Sequence, residues 1–262
     1  MIPKKSYRSP EVIPGPGEGL DLFLDGRLKL IQSRDGYRFS IDAVLLSQFA
    51  TIRPGDVVID LGTGCGVIPL ILLLTKPVGH VFGLEIQAEL IIQAARNARL
   101  NGFQERMDVV RGDFRHLPFH PGFADLVVCN PPYRKIKSGR INPHPQKAIA
   151  RHEILASLDD LLRSAAALLT KKGRFALVYP VVRLAEVFVC MRRLNLEPKR
   201  VRVHYPDLES NAKLALIEAT LGGRPGLEIL PPLLGQGDFS IGGSTDIRDF
   251  TRGQPNPAKT LA

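Results

Sequence analysis

The sequence predicts an α/β protein: seven strands in a mostly parallel sheet with helices on both faces, a C-terminal antiparallel hairpin and a small N-terminal β cap. Three observations predict it. From Val57 onward, short apolar runs alternate with longer segments of helical spacing, the pattern of parallel strands joined by crossover helices. The last two apolar runs are separated only by Pro206 to Asn211, too short for a crossover helix, so they pair antiparallel. Ahead of Val57, the run "LDLFLDGRLKLIQSRDGYRFS" alternates with period two, and Asp25-Gly26 at its centre is a strong hairpin signal.

Taken in order, residues 1–18 are rich in Pro and Gly and read as an unstructured arm, which with the hairpin makes an N-terminal unit over 1–50. Asp35-Gly36 marks a second turn, and Ser40 to Ala50 changes to helical spacing with Ser40 as N-cap. "VVIDL" is a buried strand, and "VIPLILLLTK" a helix whose Pro69 sits in the first turn, where a missing N–H is harmless. "HVFGLE" is the second strand, and "QAELIIQAARNARLNG" a helix ending at Gly102 as its C′ residue. "MDVVRGD" and "ADLVVCN" are the third and fourth strands. "HEILASLDDLLRSAAALL" is a long amphipathic helix, "RFALVYP" the fifth strand and "VVRLAEVFVCMRRLN" a helix; "KRVRVHY" and "AKLALIEATL" close the sheet. The catalytic-type unit therefore spans 51–221. Residues 222–262 are rich in Gly and Pro with little periodicity and read as a flexible tail.

The totals bound the function classes. A chain of 262 residues that is 44% hydrophobic can bury one large core, or a core plus an appendage. Its 35 Lys and Arg against 26 Asp and Glu, a formal charge of +9, suit a polyanionic partner without establishing one. The three cysteines, Cys65, Cys129 and Cys190, fall in no CxxC or His/Cys spacing, so they read as reduced thiols of a cytoplasmic protein with no metal. "MIPKKSYRSP" has cations but no apolar run behind them. "VIPLILLL", the most apolar stretch, is too short to span a bilayer, so no membrane association is expected.

In an open α/β sheet, ligands sit outside the carboxyl ends of the strands. After strand one comes "DLGTGCG", with Asp60, Gly62, Gly64 and Gly66. Glycines there let backbone approach a ligand, while an acid before the loop repels a pyrophosphate and suits a cationic or hydroxylated ligand. Glu85 ends strand two, where a carboxylate can accept both hydroxyls of a ribose. Asp113 follows strand three, where it can accept from an adenine amino group or serve only as a turn or helix cap. Three carboxylates at successive strand ends suit a neutral-to-cationic nucleoside better than a phosphate ester.

Strand four ends in Asn130-Pro131-Pro132-Tyr133. The prolines restrict the backbone, so that the Asn130 side-chain oxygen and the Pro131 carbonyl stand as two fixed acceptors. Two acceptors match one NH₂ group, and Tyr133 offers a flat face to a planar base. An exocyclic amino group is a poor nucleophile because its lone pair is delocalised into the ring. Holding both hydrogens favours pyramidal nitrogen and stabilises the positive charge that develops on attack. From Arg134 to His152 there are six Lys/Arg (Arg134, Lys135, Lys137, Arg140, Lys147, Arg151), with His144 and His152 and no acid, which suits a phosphate backbone at the pocket mouth.

"DLGTGCG", Glu85, "GD" and "NPPY", in this order, resemble the Rossmann-like class I methyltransferases that use S-adenosylmethionine. "NPPY" narrows the resemblance to amino-group methylators, of adenine N6 or of a glutamine amide. "YRFSIDAVLLSQFA" at Tyr37–Ala50 and "ARHE" at Ala150–Glu153 resemble the bacterial enzymes that methylate N6 of adenine 37 in valine tRNA; the likeness covers about residues 20–221. It implies S-adenosylmethionine as cofactor and tRNA as partner. It implies Asp60 and the loop of Gly62, Gly64 and Gly66 around the methionine part, and Glu85 with Ile86 at the ribose. It places Asp113 with Phe114 at the adenine, Tyr37, Arg38 and Ser40 closing over the cofactor, and Asn130, Pro131, Pro132 and Tyr133 at the target base, with Asn130 also beside the cofactor. The alternatives are a glutamine methylator acting on a translation release factor and an rRNA amino-methylator. The first carries a sizeable helical domain ahead of the sheet, where this chain has about 50 residues that read as β hairpin. A DNA adenine methylator needs a target-recognition domain for which there is no room.

Overall fold

A computed structural model describes residues 12–35, 40–131 and 157–235. Its strands are β1 (Glu18–Phe23), β2 (Leu28–Ser33), β3 (Val57–Leu61), β4 (His80–Glu85), β5 (Met107–Arg111), β6 (Ala124–Cys129), β7 (Leu169–Pro180), β8 (Leu196–Tyr205), β9 (Leu214–Leu221), β10 (Glu228–Ile229) and β11 (Leu233–Leu234). Its helices are α1 (Ile41–Phe49), α2 (Val67–Thr75), α3 (Ala88–Leu100), α4 (Leu158–Leu168) and α5 (Leu184–Arg193).

The main sheet has the order β8-β9-β7-β6-β3-β4-β5, and only β9 runs against its neighbours. The seven predicted strands are therefore present, with the expected antiparallel hairpin between β8 and β9. Of the segment from Gly222 onward, the structure describes residues as far as Gly235. There β10 and β11 add two residues each to the outer edge of β8, making nine strands in this sheet among the described residues. The physical reason is that β8 would otherwise leave a row of unpaired backbone groups at the sheet edge. Leu230 and Leu233 gain burial against the core at the same time. Residues 1–11 and 236–262 lie outside the described residues.

Two apolar layers sandwich the sheet. One packs α1, α2, α3 and the β1–β2 hairpin against one face; α4 and α5 pack on the other. The α2 sequence is apolar on every side because α2 is buried from Val67 through Leu73 between the sheet, α1 and β2. α4 begins with a full capping box, Ser157 and Asp160 each bonding the other's backbone N–H. α3 ends as predicted: Gly102 is left-handed at φ 74°, with Gly102 N–H to Arg99 O at 3.1 Å and Phe103 N–H to Ala98 O at 2.8 Å. Ser40 occupies the N-cap position of α1 without a side-chain cap bond.

The β cap docks on α3 through two asparagines. Asn97 and Asn101, four apart and so on one helix face, each bond both backbone groups of an alternate residue of β2. Asn97 takes Ile31 N–H at 2.7 Å and gives to Ile31 O at 3.0 Å, and Asn101 takes Lys29 N–H at 2.9 Å and gives to Lys29 O at 2.7 Å. The side-chain amides thus stand in for a neighbouring strand on the free edge of β2. Glu18 adds an ion pair to Arg96 at 2.7 Å.

The approach to β3 is held by a buried polar cluster. Arg174 of β7 pairs with Asp56 at 2.6 Å, their side chains only 4% and 7% exposed, and gives to Thr51 O at 2.9 Å. Glu218 of β9 takes Thr51 N–H at 2.7 Å and its hydroxyl at 2.8 Å. Among the described residues no helix is long and apolar enough to cross a membrane. Removing one partner of a buried pair strands the other charge. Asp56→Ala is therefore expected to lower unfolding free energy by about 3–5 kcal/mol in urea titrations; a loss below about 1 kcal/mol, the surface-pair range, would contradict this account.

Candidate active site

The parallel register sets the carboxyl ends of the strands side by side. Leu61 of β3 pairs with Leu84 of β4 and with Cys129 of β6, and Glu85 pairs with Arg111 of β5. Gly62, Glu85, Arg111 and Asn130 therefore share one level at the sheet edge. A cavity of about 470 Å³ opens there, within the range of small-molecule sites. Its lining runs from Asp113, Phe114 and Arg115 after β5, past Glu85 and Ile86, to Cys129, Pro131 and Tyr179 at the ends of β6 and β7.

Asp60 is the most unusual group. It is 0% exposed, and neither carboxylate oxygen has a hydrogen-bond partner. Burial pushes its pKa up to about 7, an effect that the neighbouring Thr63 hydroxyl offsets in part and the Glu85 charge increases. The Thr63 hydroxyl makes no hydrogen bond to it.

Glu85 is buried but well partnered. One oxygen takes the Gly64 N–H at 2.8 Å, and the other takes those of Ile86 and Gln87 at 2.9 and 3.0 Å. Burial outweighs these three donors, so its pKa lies above the usual carboxylate range. The glycine loop between β3 and α2 is held by the same strand: Gly62 and Thr63 give their N–H groups to Leu84 O at 2.9 and 3.1 Å. Gly66 serves packing. At φ 85°, a Cβ on it would meet Met107 Cε at 2.7 Å and Ala94 Cβ at 3.2 Å.

Asp113 is engaged by its own neighbour. The Arg115 guanidinium grips both carboxylate oxygens, and the Arg115 backbone N–H adds a bond at 2.9 Å. The guanidinium holds the Asp113 carboxyl below its usual range, against a smaller opposing effect of burial. At the far end Tyr179 takes a bond from Arg183 Nη1 at 2.6 Å, and Glu186 fixes that guanidinium at 2.7 and 2.5 Å. The Cys129 thiol gives to Leu61 O at 3.1 Å, and burial raises its pKa well above the usual value.

Residues 52–217, more than half of the chain, match the methyltransferase-domain family. The chain belongs to the class I methyltransferases. A protein from Tolumonas auensis named tRNA1(Val) (adenine(37)-N6)-methyltransferase is 32% identical over 178 residues, 64% of this chain and 73% of that protein. A protein of the same name from Parabacteroides distasonis is 32% identical over 68% of this chain and 74% of its own length. Among solved structures, a predicted O-methyltransferase from Agrobacterium tumefaciens superposes with a TM-score of 0.61 at 20% identity, over 76% of this chain and 89% of that one, which shows the shared fold.

Of the residues predicted for this methyltransferase, Gly62, Glu85, Ile86, Asp113, Phe114 and Pro131 line this cavity, and Asp60 and Gly66 do not. Gly64 joins it through its bond to Glu85, and Asn130 is half-buried between two lining residues. Ser40 is exposed at the start of α1. Tyr37, Arg38, Pro132, Tyr133 and the cations from Arg134 to Arg151 lie outside the described residues. Sequence reasoning missed Tyr179 and Arg115. Tyr179 ends the fifth strand, so the strand-end rule that found Glu85 reaches it also. It missed Ser157, Leu158 and Leu161 as well, which reach the cavity from α4 with no local signal.

The residues present fit a nucleoside cation. Asp60 keeps two buried carboxylate oxygens without a hydrogen-bond partner, one strand from the cavity-lining Glu85. A raised acid carries a stability consequence of definite sign. Between about pH 4 and about pH 7 unfolded Asp60 loses its proton while folded Asp60 keeps it, so folding stability falls as pH rises through this window. Asp60→Asn is expected to remove that slope in the ligand-free protein. Urea titrations at a series of pH values should show variant minus wild-type stability growing by a few kcal/mol, at about 1.4 kcal/mol per pKa unit; a flat difference would contradict the assignment.

Proposed function

We propose that this chain transfers a methyl group from S-adenosylmethionine to the N6 amino group of an adenine in tRNA, at position 37 of valine tRNA. The observation that carries the reading is the level of Asn130 and Pro131 at the end of β6, one strand from the orphaned carboxylate of Asp60 and two from Glu85. The relatives' names support the substrate.

In this reading Glu85, with Ile86 beside it, holds the ribose hydroxyls, and Asp113 and Phe114 hold the adenine. Asp60 and the loop at Gly62 and Gly64 take the methionine end, with Tyr37, Arg38 and Ser40 closing over it. S-adenosylmethionine supplies the electrophilic methyl group when bound. Asn130 Oδ1 and the Pro131 carbonyl accept the two hydrogens of the target amino group, and Pro132 restricts the backbone that presents them. Tyr133 stacks the base. This holds the nitrogen lone pair out of conjugation and stabilises the positive charge that develops on nitrogen. No strong base is needed first, because the proton leaves after transfer. The cations between Arg134 and Arg151 take the phosphate backbone.

The test is incubation with labelled cofactor and total RNA from a strain lacking the gene, followed by nucleoside analysis. Labelled N6-methyladenosine in tRNA is expected. Label confined to protein would favour glutamine methylation, and label in rRNA would move the substrate. Asn130→Ala is expected to leave cofactor affinity near normal while slowing single-turnover methyl transfer by about 2.7–4 kcal/mol, roughly a hundred- to a thousand-fold. An unchanged single-turnover rate would refute the role.

A further inference from the structure

Asn97 is 0% exposed, and its single amide serves two separate elements besides its own helix. Its oxygen takes the Ile31 N–H of β2 at 2.7 Å. Its NH₂ gives to Ile31 O and to Cys65 O, both at 3.0 Å. Cys65 lies inside the glycine loop. The other anchors of that loop come from the opposite side: Gly62, Thr63 and Gly64 all give their N–H groups to β4, through Leu84 O and the Glu85 carboxylate. Strand β4 therefore holds the loop by its donors, and Asn97 holds it by a carbonyl. A buried amide with its donors and acceptor all satisfied has one orientation, so the loop and the β cap are fixed relative to each other through one side chain.

Asn101 supplies an internal comparison. It makes the same two bonds to Lys29 of the same strand, and its remaining bond goes to Asn97 O of its own helix at 2.8 Å. It docks the cap as Asn97 does and has no bond to the loop. If docking the cap were the whole role, losing either asparagine would leave cofactor affinity alike.

We propose that Asn97 is a positioning residue that couples the N-terminal β cap to the glycine loop, so that the cap, though outside the methyltransferase sheet, sets the affinity for cofactor. The proposal rests on the reading of the Asp60–Gly66 loop as cofactor site. Asn97→Asp keeps the acceptor for Ile31 N–H and loses both donor bonds. Asn97→Ala loses all three.

The experiment measures S-adenosylhomocysteine binding by calorimetry, well below the melting temperature, for the unaltered protein, Asn97→Asp, Asn97→Ala and Asn101→Ala. Asn101→Ala is expected to lower the melting temperature while leaving Kd within about two-fold of the unaltered protein. Both Asn97 variants are expected to weaken binding by about ten-fold, the ordinary scale of coupling between sites. Asn97 variants that bind as tightly as Asn101→Ala would overturn the proposal. No binding by the unaltered protein would refute the cofactor reading itself, and the coupling with it. Hydrogen exchange on the unaltered protein gives a second measurement that needs no variant to fold. Coupling is reciprocal, so S-adenosylhomocysteine is expected to slow exchange of the Ile31 amide more than that of Lys29; an equal response at the two amides would overturn the proposal.

Discussion

Asp60, next to last in β3, is a carboxylate sealed from water, with no hydrogen bond on either oxygen and a second acid, Glu85, close enough to raise its pKa further. A free carboxylate at this depth opposes folding, because burial disfavours its charged form and neutral carboxyl still lacks partners. In the proposed function, a cationic cofactor supplies the missing partner. Strand β4 takes up the loop's donors, so the loop cannot turn its N–H groups back onto Asp60, and Glu85 is kept in place by three backbone donors of its own.

The rest of the molecule holds this edge still. The parallel register aligns Gly62, Glu85, Arg111 and Asn130 at one height. The buried Arg174–Asp56 pair and the Thr51–Glu218 bonds fix the segment that enters β3, at the end of the strand opposite the site. Asn97 of α3 and Asn101 at its C-cap close the outer edge of the cap by imitating a strand, which turns a potential aggregation edge into a docking surface. At the other edge, β10 and β11 do the same for β8.

Much of the site was legible because one rule, ligands at the carboxyl ends of parallel strands, picks out residues by their place after an apolar run. Glu85, Asp113, the glycine loop and Asn130 each follow such a run directly. Tyr179 is equally accessible to the rule, since it lies at the carboxyl end of β7. Arg115 carries no signal of its own, since its grip on Asp113 depends on the turn after β5. The fold was legible for the same local reason: strand and helix periods alternate, and a six-residue connection forbids a crossover. The short strands after Gly222 were not, since two-residue pairings leave no period to read.

The sequence by itself determined the seven-strand order of events along the chain, the glycine that stops α3, and the identity of the acids and the amide at the strand ends. These follow from local periodicity and backbone chemistry, which neighbouring residues suffice to fix. Only the tertiary structure decided which donors those groups meet: Glu85 with three N–H groups, Asp113 with Arg115, Asp60 with none, and Asn97 with both the cap and the loop. Partners of this kind come from residues far apart in the chain, brought together by packing, and burial then sets the strength of each contact.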